Sequence, residues 1–388
     1  MFSSTNFLHQ YDSLKAKSLK SRSLSILDTE PLLNSLSEIF KVSILGKSEA
    51  GLPIHGIKIG SGEKRILCWS QMHGNETTTT KAIFDLLNFF KNGHYKDLLD
   101  SCTLFIIPIL NPDGAVAYTR FNANKVDLNR DAAIRSQKES SILRSVFDKF
   151  KPHFCFNLHD QRTIYSAGKL NNSSVISFLS PSENHERSVT TTRKKSMFII
   201  QSINSVLQKF LPNQIGRYDD TFNPNCVGDQ FQASGVPTVL FEAGHYPNDY
   251  FREQTRKYIT LSLFTAINCI TTNKYDKDVS LLYFNIPENN KLFNDIIIRN
   301  ANINSGEPSV FCDIGIQYKE VLGTNGVEFK PIIDFIGDLS SKYGHREINA
   351  NYNTVYNPKF EVLSENYEID FIFVKTKKIT LLVKNNLP

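Results

Sequence analysis

Arg65-Ile66-Leu67-Cys68-Trp69, then His73-Gly74-Asn75-Glu76, then the run from Thr77 to Phe90: the reading of this stretch decides the fold. The first segment is apolar and strand-like. In the last, Ala82, Ile83, Leu86, Leu87 and Phe90 recur at the spacing of one helix face. Strand, short polar turn and amphipathic helix form the unit from which α/β folds are built.

The same alternation continues on both sides. Upstream, Pro31-Leu32-Leu33 with Leu36, Ile39 and Phe40 has helical spacing, and Val42 to Leu45 and Ile54 to Ile59 are strand-like. Downstream, Leu104 to Leu110 is a continuous apolar run of the kind buried on both faces of a sheet. Helical spacing returns at Ile142–Phe150, a buried strand at Phe154–Leu158, a helix at Met197–Phe210, a strand at Thr238–Phe241 and a helix at Tyr258–Cys269. The pattern predicts an α/β sandwich around a central sheet. Past Thr272 the alternation fades. Asp295–Ile298, Val310-Phe311-Cys312 and Tyr367–Phe371 look like strands with one wet face, and Asn325-Gly326 signals a hairpin. The expected organisation is an N-terminal extension (1–30), a larger catalytic domain (31–272) and a β-rich C-terminal domain (273–388).

Composition narrows the function. With 40% hydrophobic and 21% charged residues and a formal charge of +5 over 388 residues, this is an ordinary globular chain without a dense basic stripe. Nucleic acid and membrane surfaces are therefore not expected as partners. Met1 to Lys20 lacks the apolar core of a secretory signal, and no later run is long enough to cross a bilayer. The six cysteines are scattered and form no C-x-x-C pair, as expected for thiols in a reducing compartment; the expected location is cytoplasmic.

In open α/β sheets, binding sites gather at the carboxyl ends of strands. His73, Asn111, His159 and Glu242 each follow an apolar strand-like segment. The His73-x-x-Glu76 spacing alone is cheap in a chain with nine histidines, and a strand-end histidine bonded to backbone is the plain alternative. If His159 joins them, two histidines and one carboxylate leave a fourth position open, the pattern of a catalytic zinc site.

The order of motifs is more specific. Asn111-Pro112-Asp113-Gly114, Tyr118-Thr119-Arg120 and Val126-Asp127-Leu128-Asn129-Arg130-Asp131 lie between His73-Gly74-Asn75-Glu76 and Phe241-Glu242-Ala243. Together they resemble the zinc metallocarboxypeptidases of the carboxypeptidase A type, over about Leu32 to Cys269. Gly46 to Ile54 also looks like the segment before that family's first ligand strand. The resemblance implies a three-layer α/β/α sandwich with a mixed sheet and one zinc ion per chain held by His73, Glu76 and His159. It makes Asp127 the partner of the outer His73 nitrogen and sets Arg120 against the scissile carbonyl oxygen. Asn129 and Arg130 would hold a free substrate carboxylate, and Glu242 would be the general base. The implied substrate is a peptide or acyl-amino acid with a free carboxylate.

One position departs from the digestive members of that family. Phe231 stands before Gln232-Ala233-Ser234-Gly235, where they carry a mobile tyrosine; Tyr218 is close enough in sequence to substitute. No specificity pocket carries over. Two other functions stay open at this point. Succinylglutamate desuccinylases and aspartoacylases, which are N-acyl amino-acid deacylases, share a similar opening and a β-rich C-terminal domain. An inactive zinc-binding interaction protein is the other.

Overall fold

Strands that are apolar on both faces need helices above and below them, and the molecule is layered accordingly. A computed structural model describes residues 3–272, 278–304, 308–359 and 363–383. Its main sheet contains β1 (Lys41–Lys47), β2 (Pro53–Ile59), β3 (Lys64–Ser70), β4 (Cys102–Ile107) and β5 (Phe154–Asp160). After the short β6 (Tyr165–Ala167), which lies outside it, β7 (Ile176–Leu179), β8 (Ile215–Arg217) and β9 (Thr238–Ala243) complete it. The strand order is β1-β2-β4-β3-β5-β9-β7-β8. The central strands β4, β3, β5 and β9 run parallel, while β2 and β7 flank them antiparallel. The sheet is mixed, as expected.

The α-helices among the described residues are α1 (Ser4–Leu14), α2 (Ile26–Ser37), α3 (Thr78–Lys91), α4 (Lys96–Ser101), α5 (Pro112–Ala117), α6 (Lys138–Phe150), α7 (Thr191–Leu207), α8 (Val227–Ala233), α9 (Glu253–Thr271) and the short α10 (Ser280–Phe284). Side-chain alternation divides the strands between two cores. Ile66, Cys68, Phe154, Phe156 and Leu158 pack with α3, α7 and α9. Leu67, Trp69 and Cys155 pack with Leu143 and Phe147 of α6 and Phe231 of α8. Asn157 and His159 follow Cys155 on that second face, where the α-helical cover thins and a cavity opens.

Several boundaries differ from those expected. The first helical pattern begins at Ile26 and carries Pro31 inside it, with Ser25 and Asp28 forming a capping box. β4 ends at Ile107, because Pro108 begins the turn toward Asn111. The residues expected as an extension join the first core: Phe7, Tyr11, Leu19 and Leu24 are buried there. The expected boundary at 272/273 meets residues 273–277, which lie outside the described residues.

Beyond Asn289, β10 (Asn289–Lys291) pairs with β6. Then β11 (Phe293–Asn302), β12 (Phe311–Gly323), β13 (Gly326–Gly337) and β14 (Tyr343–Asn349) form a sheet in the order β13-β12-β11-β14. The hairpin signal at Asn325-Gly326 is the β12–β13 turn, where Gly323 pairs with Gly326 and Gly326 takes a φ of 111°. The expected strand Tyr367–Phe371 is reduced to an isolated antiparallel bridge, Glu368 against Ile332 of β13, and regular pairing starts at Phe371 in a small three-stranded sheet. No helix among the described residues is long and apolar enough to cross a membrane.

Candidate active site

The site begins where β3 ends. Gln71 takes a left-handed φ of 47°, and its amide donates to the carbonyls of Leu24 and Gly74, fixing the turn that presents His73. A β-carbon on Gly74 would sit 1.9 Å from the Gly114 carbonyl carbon, so only glycine fits there. Glu76 sits just before α3. The first N–H groups of that helix are capped from outside: Asp160, the last residue of β5, accepts from Thr78 N at 3.0 Å and Thr79 N at 3.3 Å. The Asp160 backbone N–H in turn donates to Glu76 Oε2 at 3.1 Å. Strand β5 thereby sets both His159 and Glu76.

His73, Glu76 and His159 converge, with their potential ligand atoms all within 4.8 Å of one another and all three residues buried. His73 Nδ1 lies 2.8 Å from Glu76 Oε1, and His159 Nδ1 lies 2.8 Å from Glu76 Oε2. The two Nδ1 atoms are 3.2 Å apart. On the far side of the His73 ring, Nε2 meets Asp127 Oδ1 at 3.1 Å. If that Nε2 donates to Asp127, its Nδ1 carries a lone pair facing a carboxylate oxygen and a second imidazole. Such a cluster of electron-rich atoms, 2% to 9% exposed, calls for a cation at its focus. Two imidazoles and a carboxylate are a donor set suited to zinc. Burial opposes ionisation of Glu76, yet the two imidazoles outweigh it and hold the carboxyl well below its usual range.

Asp127 does more than meet His73. Its Oδ1 accepts from Asn129 N at 2.9 Å, starting the tight turn Leu128–Arg130, and its Oδ2 takes Arg120 Nε at 3.0 Å. Arg120 reaches to 3.6 Å from Glu76 Oε1. The Asn129 side chain accepts from Val227 N, tying this turn to α8. Arg130 Nη1 lies 3.2 Å from Cys226 Sγ, and no carboxylate pairs with it among the described residues. Glu242 sits opposite His159 in the β5–β9 register. Its Oε2 is shielded from solvent without a hydrogen-bond partner among the described residues, and burial, then Glu76, push its carboxyl well above the ordinary range.

A cavity of about 590 Å³ brings Glu242, Arg120, Asn129 and Arg130 together with the cluster. Tyr218 lines it; Phe231 does not, being stacked on Phe147 at 4.0 Å and set edge-on to Trp69 in the core below. Three wall residues had no signal in the sequence. Arg22 donates to Asp160 Oδ2 at 3.2 Å and to Glu320 of β12 at 3.2 Å, and the Tyr118 hydroxyl bonds Glu320 as well. These partners are up to 298 residues apart, so no local pattern could reveal them.

Residues 29–166 match the model of the zinc carboxypeptidase family. Carboxypeptidase SOL1 of Arabidopsis thaliana is 33% identical over 106 residues, 24% of this chain and 22% of that protein. Carboxypeptidase 2 of Trichophyton rubrum is 27% identical over 110 residues, 27% of this chain and 20% of that protein. The matches thus span only about a fifth of these curated relatives. In fold, a metallo-carboxypeptidase from Burkholderia cenocepacia aligns with a TM-score of 0.53 at 15% identity, covering 65% of this chain and 70% of that one. Bovine thrombin-activatable fibrinolysis inhibitor, solved with tick carboxypeptidase inhibitor, aligns at 0.55 and 12% identity, covering 65% and 98%. In motif order and matched segment, residues 29–166 are similar to the zinc carboxypeptidase family, and the fold around them is that of the metallo-carboxypeptidases.

Proposed function

We propose that this chain is a zinc-dependent carboxypeptidase, with His73, Glu76 and His159 as the metal ligands. The observation that carries the reading is the convergence of three buried electron-rich side chains beside a carboxylate, Glu242, whose Oε2 has no hydrogen-bond partner among the described residues. Zinc, when bound, supplies Lewis acidity for attack of water on an amide. Asp127 fixes the His73 ring, so that its inner nitrogen keeps its lone pair toward the focus. Arg120, 40% exposed in its side chain, faces the same space and stabilises negative charge growing on the carbonyl oxygen. Glu242 takes the proton of the attacking water and delivers it to the leaving amine. Asn129 and Arg130 receive the terminal carboxylate, Arg130 through its planar fork. The family match and the carboxypeptidases among the relatives favour peptides over acyl-amino acids as substrates. No disulfide joins the cysteines among the described residues, which is in keeping with the expected reducing, cytoplasmic location.

The test is substrate end-group. Amidating the C-terminus of a cleaved peptide removes a charge-assisted pair, a loss of about 1.5–3 kcal/mol, or roughly ten- to a hundredfold in kcat/KM. Arg130→Ala is expected to show that loss on the free acid and little further loss on the amide. Equal cleavage of amidated and free peptides by the wild type would refute the carboxypeptidase reading.

A further inference from the structure

At the β1 edge of the main sheet, the helical cover stops short. Between β1, β2 and α6 runs an open groove of about 550 Å³, which shares no lining residue with the cavity of the His73 cluster. Its floor is apolar, made by Leu45, Phe105, Ile142 and Phe150, all half-buried, and by Val146 of α6. The Phe105 and Phe150 rings lie 5.4 Å apart. A β-carbon on Gly56 would meet Leu45 Cδ2 at 2.8 Å and Phe105 Cε1 at 2.9 Å, so these two side chains lean over a bare stretch of β2 backbone.

The rim is cationic. Lys41 of β1, Lys58 of β2 and Lys149 of α6 line the groove, all exposed, and no carboxylate lines it. Lys138, at the start of the same helix, pairs with Glu49; none of these three lysines pairs with a carboxylate among the described residues. Lys41 and Lys58 also stand directly opposite each other in the β1–β2 register. Like charges in that position, with Cβ atoms roughly 5 Å apart, repel and destabilise the strand pair. Lysine on an edge strand wards off pairing with other chains. That accounts for Lys41, but not for Lys58 on the inner strand or Lys149 on the helix.

An apolar trough ringed by uncompensated cations is complementary to carboxylates set around an apolar centre. We propose that this groove docks an acidic segment of a partner protein, its large apolar side chains over Leu45 and Phe105 and its carboxylates on Lys41, Lys58 and Lys149. The single carboxylate of a fatty acid cannot meet lysines on three separate elements, whereas a chain of alternating acidic and apolar residues can. Docking there leaves the His73 cavity open, and it does not depend on the carboxypeptidase reading.

The probe is a fluorescein-labelled heptapeptide, Glu-Glu-Phe-Glu-Leu-Glu-Glu with a C-terminal amide, titrated against the full chain by fluorescence anisotropy. Its comparison is the same peptide with lysine at every glutamate. The acidic peptide is expected to bind about tenfold or more tighter than the basic one, and less tightly as salt is added. Lys58→Glu is expected to weaken binding about tenfold or more. The same change should raise the urea midpoint of the free protein, because it turns the lysine pair into one of opposite charge. Ser145→Trp fills the groove from α6 and is expected to abolish binding without altering a charge. If that variant does not unfold cooperatively, Lys41→Glu replaces it, with the loss expected of Lys58→Glu. Equal affinity for the two peptides, or undiminished binding to the variants, would overturn the proposal. Decanoate and vesicles of equal parts phosphatidylcholine and phosphatidylglycerol are tested alongside. If these bind through Lys58 and the acidic peptide does not, the groove is a lipid site and the proposal is refuted.

Discussion

Glu242 illustrates what single residues contribute. It ends an apolar strand, lies opposite His159, and keeps one oxygen without a partner inside the cavity. Glu242→Gln keeps the shape and removes the basicity. Turnover is expected to fall by about two to four orders of magnitude, the range of general-base catalysis, with zinc content by atomic absorption unchanged. Near-normal kcat in this variant would place the base elsewhere. The convergence of His73, Glu76 and His159 and the strand-end place of Glu242 were legible in the sequence because strand ends leave local marks: a polar residue directly after an apolar run. Asp160 was not, although it follows His159 directly, because its meaning lies in whom it holds, the first turn of α3 and Arg22. An aspartate after a histidine carries no sign of a distant partner.

At the scale of elements, periodicity located β3, α3, β5, β9 and α9, whose apolar residues repeat over long enough runs. It missed β7, β8 and α8, three to seven residues each, too short to establish a period. It also gave no hint that α1 belongs to the core. That helix is held by a buried ion pair between other elements: Asp85 of α3 and Arg256 of α9 meet at 2.6 Å, 0% and 1% exposed. The Tyr11 hydroxyl donates to the same carboxylate at 2.6 Å, and Arg256 donates to the carbonyls of Ala16 and Leu19. Asp85→Ala removes the anion nearest this buried guanidinium and leaves it only Glu253, at 3.2 Å, and should cost about 3 kcal/mol in urea unfolding. A loss below about 1 kcal/mol would mean that the cluster is hydrated and the N-terminal segment loosely held.

For the whole molecule, the C-terminal sheet is joined to the rest through polar contacts such as Tyr250 to Asp295 and Gln317 to Thr163. Asp295 of β11 is fully buried at that junction, accepting from the Tyr250 hydroxyl at 3.0 Å and Tyr318 N at 2.7 Å. Burial outweighs these donors and raises its carboxyl to about 6. The folded chain therefore keeps this proton to higher pH than the unfolded chain does. The stability it contributes is present below about pH 4 and is lost as pH rises from about 4 to about 6. Relative to Asp295→Asn, the wild type should lose on the order of 1–3 kcal/mol across that window, read from urea midpoints at each pH. Parallel profiles for the two proteins would show that Asp295 is ionised or solvated when folded.

The bridge from Asp160 through Arg22 to Glu320 has a consequence in time. Asp160 is tied to a residue 138 positions earlier, and that residue to one 298 positions later. Contacts of such separation form last, both because loop closure delays them and because synthesis delivers residue 320 long after His73, Glu76 and His159. A nascent chain, or one clipped between the two sheets, would hold the ligand cluster in a cleft lacking its outer wall. Until residue 320 is made, Arg22 has Asp160 alone as its carboxylate partner, and the Tyr118 hydroxyl lacks the acceptor that closes this edge of the cavity.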